Sequence, residues 1–159
     1  MQQELKPVIV ACLDISSNSS GIALNYACQI AKKLNFDVHI LVIVESSKGL
    51  LFVSRLVEKD KRVEVEKKLK KLIESITKEV DIKPTISIKE GDVVQEISKK
   101  IKSMPNSIML VLGKDCNKRG DNNILPKLSA QIGNKIKVPV VIVPSNIDDK
   151  YITNLLKYY

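Results

Sequence analysis

Five short apolar segments alternate along the chain with longer segments in which apolar residues recur every three or four positions. The apolar segments span residues 7–13, 37–44, 84–89, 107–112 and 138–143. Four of them are almost continuously apolar, which is typical of strands that a parallel sheet buries on both faces. The third instead alternates Ile86 and Ile88 with polar residues, which predicts a strand at the edge of the sheet.

Four segments between these strands show the periodicity of amphipathic helices, with apolar residues on one side and polar residues on the other. Their apolar positions are Ala23, Ala27, Ile30, Ala31 and Leu34; Val65, Leu69, Leu72, Ile73, Ile76 and Val80; Val94, Ile97, Ile101 and Met104; and Leu125, Leu128, Ile132 and Ile136. The resulting order, β-α-β-α-β-α-β-α-β, predicts an α/β fold with helices on both faces of a parallel sheet.

Two segments fall outside this alternation. Residues 46–60 are predicted to form a long connection after the second strand. Residues 146–159 form a C-terminal tail, in which Ile152, Leu155 and Leu156 stand at helical spacing and predict a short docked helix, with a partner contact as the alternative. We therefore divide the chain into an α/β domain, residues 1–145, and this tail.

The composition is that of a globular protein, with 44% apolar and 28% charged residues. No stretch approaches the 18 or so continuous apolar residues of a membrane span, so none is predicted. The first 14 residues lack the basic segment and cleavage site of a signal peptide. The three cysteines have no CxxC spacing, which argues against a disulfide framework or a metal site. We expect a cytoplasmic protein.

The net charge of +8 is concentrated in one part of the chain. Nine Lys or Arg residues lie between Ile97 and Lys137, against only Asp115 and Asp121. This excess indicates either an anion or nucleic-acid surface or, as the more ordinary alternative, solvated lysine-rich faces. Lysines outnumber arginines 23 to 3 and aromatic residues make up 4% of the chain. Both features make nucleic-acid binding an unfavoured interpretation.

Polar residues follow two of the predicted strands, at the edge where open parallel sheets bind ligands. Asp14 follows Cys12 and Leu13 at the end of the first strand, where a carboxylate can accept hydrogen bonds from a ribose or an adenine amine. The alternative is that Asp14 and the serines Ser16 and Ser17 only cap the first helix. Gly113 follows the fourth strand and is expected to form the turn into a polar loop.

No catalytic constellation is predicted. His39 is the only histidine and lies inside a strand, away from the loop after Gly113, so it has no nucleophile to activate. Cys12 and Cys28 are expected to be buried as small apolar residues. Cys116 lies among basic residues and is the one cysteine that these surroundings could make reactive.

Several of these features together resemble the universal stress protein family, over residues 6–144. They are the order of elements, Asp14, the pair Gly91-Asp92 and the 26-residue step from Gly113 to Pro139. The resemblance implies an open, doubly wound, Rossmann-like sheet of five strands in the order 3-2-1-4-5. It also implies a homodimer through the last strand, with the interface residues Val138, Val140, Val141, Ile142 and Val143.

The nucleotide-binding members of that family carry Gly-x2-Gly-x9-Gly-Ser/Thr after strand four, and this sequence keeps only part of it. The four positions are Gly113, Cys116, Pro126 and Lys127, with Ser129 at a later hydroxyl position. Cysteine disfavours a turn with positive φ, and proline has no N–H to offer a phosphate. We expect Pro126 to be the first residue of the fourth helix.

The resemblance therefore implies a non-enzymatic stress-adaptation protein with lost or weakened ATP binding, no required cofactor and an unidentified protein partner. One alternative is a nucleotide switch in which lysines replace the missing glycines, and another is a basic module that binds nucleic acid or an acidic partner. If nucleotide binding is retained, the expected contacts are Cys12, Leu13, Asp14, Ile43, Leu112, Gly113, Lys114, Lys127, Leu128 and Ser129.

Overall fold

A five-stranded parallel sheet runs through the part of the chain that the computed structural model describes, residues 4–15, 19–44, 53–114 and 124–159. The strands are β1 (Val8–Leu13), β2 (Asp37–Val44), β3 (Thr85–Glu90), β4 (Ser107–Lys114) and β5 (Val140–Pro144). Their order in the sheet is β3-β2-β1-β4-β5, and all four neighbouring pairs are parallel. The predicted fold class and the strand order implied by the resemblance are confirmed.

Helices cover both faces of this sheet. They are α1 (Ser19–Leu34), α2 (Val53–Val80), α3 (Val93–Ser103), α4 (Ile124–Ser129) and α5 (Asp149–Leu155), the last followed by a 3₁₀ turn at Leu156–Tyr158. Apolar residues of α1, α2 and α5 pack in one hydrophobic cluster, and those of α3 and α4 pack in a second cluster on the opposite face.

β1 is the central strand of the sheet and contributes to both clusters. All six of its side chains are buried, and they alternate between the two faces. Ile9, Ala11 and Leu13 belong to the α1 side, whereas Val8, Val10 and Cys12 belong to the α3 side. At the edge of the sheet, β3 is largely exposed, which confirms the edge position predicted from its alternating sequence.

The predicted connection at 46–60 is wrong in its second half, because α2 already begins at Val53. Residues 45–52 lie outside the described part of the chain. The stretch from Val53 to Val80 contains neither glycine nor proline and is rich in lysine and glutamate. These residues favour the helix although its first turns lack a clear apolar stripe.

The fourth helix is shorter than its apolar spacing predicts. α4 ends at Ser129, and the chain then turns so that Ile132 and Ile136 form an isolated bridge. Within this turn Gly133 adopts a φ of 84°, a left-handed conformation that prevents the helix from continuing to Ile136. The turn keeps Ile136 buried but leaves Ile132 49% exposed. The expectation that Pro126 is the first residue of α4 is wrong, because Pro126 is its third residue.

The last strand differs from its prediction in both position and burial. It begins at Val140 because Pro139 has no N–H for the ladder, although the Pro139 carbonyl accepts a 2.9 Å hydrogen bond from the backbone N–H of Leu110. β5 is an edge strand, and its Ile142 side chain is 47% exposed. It is therefore not buried on both faces.

The tail forms the predicted short helix, and α5 docks on α1. Asp148 caps α5 by accepting a 2.7 Å hydrogen bond from the backbone N–H of Tyr151. The Asn25 side-chain amide donates to Asp149 Oδ1 at 2.6 Å, and Ile152 is completely buried among residues of the α1 cluster. Residues 23–28 of α1 are consecutively buried, which requires partners on several sides of the helix. The sheet, α2 and α5 supply them.

Replacing the buried anchor of α5 tests whether the tail contributes to the stability of the domain. Ile152→Ala removes a side chain with no solvent exposure and is expected to lower the free energy of unfolding by about 2–5 kcal/mol in urea denaturation. Lys150→Ala, on an exposed position of the same helix, should change it by less than about 0.5 kcal/mol. Equal stability of the two variants would show that α5 is not docked in solution.

Candidate functional site

The strand order reverses between β1 and β4, and most of the predicted nucleotide-contacting residues lie at the carboxyl ends of these strands. β1 pairs with β2 on one side and with β4 on the other, with Cys12 opposite Leu112. Asp14 follows the end of β1, and Gly113 and Lys114 end β4. The fold thus brings the ends of these two strands together at the crevice where open α/β sheets bind ligands.

The apolar members of the predicted set divide between the two faces of the sheet. Cys12, Leu112 and Leu128 are buried in the cluster on the α3 side, with Ile43 half-buried against it. Leu13 points to the other face and packs with α1. Four of the predicted apolar contacts therefore belong to one surface, and the fifth does not.

Gly113 is not the turn residue that the sequence predicts. It lies inside β4, paired with Val143, and its φ is outside the left-handed region. A Cβ built at this position would lie 2.8 Å from the carbonyl oxygen of Ser19 and 2.8 Å from Ser19 Oγ. Side-chain carbons do not approach protein atoms so closely, so β4 can pass the first residue of α1 only with glycine here. Packing alone explains this glycine.

Asp14 lies on an exposed position, separated from the first residue of α1 by four residues. The alternative that Asp14 and the following serines cap α1 stays a prediction. Residues 16–18, where the cap position falls, lie outside the described part of the chain.

The two described cysteines are buried and free, which confirms the prediction for them. Burial, with a further contribution from the nearby Asp14 charge, raises the pKa of the Cys12 thiol to about 12. Burial likewise raises the pKa of Cys28 to about 12. Both thiols are protonated at neutral pH and are poor nucleophiles as a result. Cys116, the cysteine predicted to be reactive, lies outside the described residues.

α4 offers little that can grip a phosphate. Pro126 lies in its first turn, where a backbone N–H would otherwise be available. The Ser129 hydroxyl donates a 3.0 Å hydrogen bond to the Pro126 carbonyl, so it is engaged within the helix. Lys127 is exposed, and Lys114 is half-buried at the end of β4. These two lysines are the positive charges that the described part of the site can present.

His39 lies in a polar contact that is unrelated to this crevice. It pairs with Thr85 across β2 and β3, and its Nδ1 is 2.7 Å from Thr85 Oγ1. Burial, with a further contribution from the Lys100 charge, lowers the pKa of His39 to about 4. The imidazole is neutral at physiological pH, and both its burial and its position make it unsuitable as a base for chemistry at the β1–β4 crevice.

The structure also contains a groove that the sequence did not indicate. It has a volume of about 270 Å³ and lies between α2 and the edge strand β3. Its apolar lining is Leu69, Ile73, Ile86 and Ile88, with Glu66, Lys70 and Glu74 along α2. Two helix residues and two strand residues that are distant in sequence form it, so no local pattern could have predicted it.

Metal-binding clusters and membrane-spanning helices are both absent from the residues that the structure describes. Within them, no three His, Cys, Asp or Glu side chains come close enough together to hold a metal ion. No helix of the described part combines the length and the apolar character needed to cross a bilayer; α2 is long enough but heavily charged.

Comparison with known proteins gives one family match and many structural matches. The family model described as "Universal stress protein family" matches residues 7–144. No curated protein matches the sequence. The tail after Pro144 thus lies outside the matched region.

Three of the similar solved structures illustrate the shared fold. Universal stress protein UspA from Lactobacillus plantarum is 15% identical, with a TM-score of 0.73 over 87% of this chain and 97% of that one. A universal stress protein family member from Burkholderia pseudomallei is 15% identical, with a TM-score of 0.67 over 89% and 98%. The universal stress protein from Archaeoglobus fulgidus in complex with dAMP is 14% identical, with a TM-score of 0.60 over 87% and 98%.

Substitution of Gly113 separates its packing role from any role in ligand binding. Gly113→Ala forces a Cβ against Ser19 and is expected to lower the free energy of unfolding by about 1–3 kcal/mol with no nucleotide present. The measurement is urea denaturation of the purified protein without nucleotide.

Gly21→Ala is the matched control, because its new Cβ would lie 3.4 Å from Leu72 Cδ1 in a helix that favours alanine. We expect that variant to be as stable as the wild type or slightly more stable. An undiminished stability of Gly113→Ala would show that packing does not require this glycine.

Proposed function

This chain belongs to the universal stress protein family, and we propose that it is a non-enzymatic, cytoplasmic stress-adaptation protein. It acts through protein contacts, and its ATP binding is weakened or lost. The observation that carries this proposal is the contact of Gly113 with Ser19, where a Cβ would lie 2.8 Å from two oxygen atoms. The single glycine retained from the nucleotide motif is thereby explained without a ligand.

The remaining motif positions support weakened phosphate binding. Cysteine, proline and lysine occupy positions 116, 126 and 127, where the family pattern has two glycines and a hydroxyl residue. Glycine-rich turns hold phosphates by letting backbone N–H groups approach the oxygens. At position 126 proline has no N–H, and lysine at 127 offers a mobile charge in place of a fixed donor.

The described titratable groups support the non-enzymatic part of the proposal. The pKa values of Cys12 and Cys28 are raised to about 12, and that of His39 is lowered to about 4. None of these groups is both accessible and near its titration range at neutral pH, as a general base or nucleophile should be. Free, buried cysteines also agree with a reducing cytoplasm.

An ATP- or adenine-nucleotide-binding switch is the second candidate, and the placement of the expected contacts favours it. Cys12 and Leu112 lie opposite each other at the carboxyl ends of β1 and β4, and the half-buried Ile43 packs against the same cluster. A family member from Archaeoglobus fulgidus is known in complex with dAMP. In this alternative, Asp14 contacts the nucleoside, while Lys114 and Lys127 neutralise the phosphates.

Isothermal titration calorimetry with ATP and Mg²⁺ decides between the two candidates. We expect no saturable heat at micromolar ATP, because the backbone donors of the motif are missing. The restored variant Cys116→Gly/Pro126→Gly/Lys127→Ser is expected to gain measurable affinity.

Adding Asp14→Ala to the restored variant should weaken that binding again, because the proposed nucleoside contact is removed. Micromolar binding by the wild type would overturn the proposal in favour of the nucleotide switch. A restored variant that binds no better than the wild type would show that these three positions are not the cause.

We also propose that the protein is a homodimer that pairs through β5. The strand pairs with β4 on one side only, so its outer backbone groups can extend the sheet. Among the five interface residues implied by the resemblance, Ile142 offers the most exposed side chain. Val138, Val140 and Val141 are half-buried, and Val143 is buried in the α1 cluster.

Sedimentation velocity of two edge-strand variants tests this dimer. Ile142→Glu is expected to shift the protein from dimer to monomer, since the charge would lie against side chains of the paired strand on the same face of the sheet and lose part of its hydration. Ile86→Glu on the opposite edge is the control, because Ile86 and Ile142 are both 47% exposed in the single chain. A monomeric wild type, or equal behaviour of both variants, would refute the β5 interface.

A further inference from the structure

One layer of the molecule carries several exposed lysines and an exposed isoleucine on neighbouring elements, which together we call the basic face. It is formed by α3, α4 and the turn before β5, and its exposed members are Lys99, Lys102, Lys127, Ile132, Lys135 and Lys137. We infer that this face docks an acidic segment of a partner protein. The inference rests on the proposed function, in which the protein acts through protein contacts, and it names the chemistry of the partner.

The lysines of the basic face belong to one connected surface. The Ser98 hydroxyl of α3 donates a 3.3 Å hydrogen bond to the Lys135 carbonyl, which ties α3 to the turn. Beneath them, Ile97 and Ile136 are buried in the same cluster. Lys102 lies one helical turn after Ser98, whose hydroxyl contacts the backbone of Lys135. The segments that carry Lys102 and Lys135 are therefore close together.

The positive charge of this face is largely uncompensated within the described residues. Glu96 contacts Lys99 at 3.1 Å, and Asp92 is engaged as the N-cap of α3. Lys102 and Lys135 form no ion pair there. In contrast, α2 on the other face of the sheet carries interspersed carboxylates and internal ion pairs, such as Lys68 with Glu64 at 2.9 Å.

Ile132 gives this charged surface an apolar centre. It is 49% exposed, and the adjacent Gly133 has open space around it, with no atom within 4 Å of a Cβ built there. An exposed aliphatic side chain on a layer of exposed lysines has the composition of a protein interface, which combines an apolar core with a polar rim. A partner segment that fits it carries aspartates or glutamates around one apolar side chain.

The same residues argue against nucleic acid as the occupant. The described part of the face carries no arginine, the residue that reads base edges and phosphates in bidentate fashion. It also carries no aromatic side chain on which a base can stack. Lysines act as flexible point charges, which suit the dispersed carboxylates of an acidic peptide.

Fluorescence anisotropy with defined probes tests the inference at about 150 mM salt. The probes are a labelled oligoglutamate peptide, the same peptide with one central leucine, and a short DNA duplex. We expect the wild type to bind the leucine-containing peptide more tightly than oligoglutamate and more tightly than DNA. The Ile132→Ala variant should lose the preference for leucine.

Charge-reversed variants locate the binding surface. Lys102→Glu/Lys135→Glu is expected to weaken binding of the leucine-containing peptide about tenfold or more, since each reversal replaces an attraction by a repulsion. Lys67→Glu/Lys71→Glu makes the same charge change at exposed positions of α2 that form no ion pair with the described side chains, and should weaken it less than about threefold. Unchanged sedimentation and thermal unfolding confirm that both variants are folded.

Three results would overturn the inference. The first is that the wild type binds neither peptide, and the second is that it binds the DNA duplex more tightly than the leucine-containing peptide. The third is that Lys102→Glu/Lys135→Glu and Lys67→Glu/Lys71→Glu lose the same affinity for that peptide. ATP calorimetry on the same preparation distinguishes failure of this inference from failure of the proposed function. ATP binding contradicts the loss of nucleotide affinity without affecting the peptide result, whereas missing peptide binding leaves the nucleotide result intact.

Discussion

The complete burial of β1 is the constraint on which the rest of the structure depends. Its side chains alternate between two hydrophobic clusters, so the strand is stable only if helices cover both faces of the sheet. β1 also pairs with β2 and β4 on its two sides, which places the reversal of strand order at its own carboxyl end. The core and the location of the candidate site thus have one physical origin.

This shared origin explains how a site can change while the fold persists. The end of β4 passes so close to the start of α1 that Gly113 has no room for a side chain beside Ser19. Positions 116, 126 and 127 differ from the family pattern, and Pro126 is compatible with the first turn of α4. Packing therefore requires glycine at position 113, whatever residues occupy the other positions of the motif.

The two helical layers differ in how far the positive charge on their surfaces is compensated. On α2, carboxylates are interspersed among the lysines, and ion pairs such as Lys68 with Glu64 offset part of their charge. On the α3 side the described lysines have few carboxylates nearby, and Ile132 is exposed on the same layer. Solvation accounts for a helix face with partly compensated charge, whereas an uncompensated charged surface with an exposed apolar side chain suits a partner of opposite charge.

The sequence by itself determined the five strands, the edge position of β3 and the helical tail, because continuous or periodic apolar patterns report burial directly. The resemblance to the family added the strand order, and the location of the candidate site followed from it. Only the tertiary structure decided that α2 begins at Val53 and that Gly133 ends the turn after α4. It also decided that Gly113 is a packing residue and that α5 completes the burial of α1. These features depend on contacts between residues distant in the chain, or on backbone conformation, which apolar spacing does not encode.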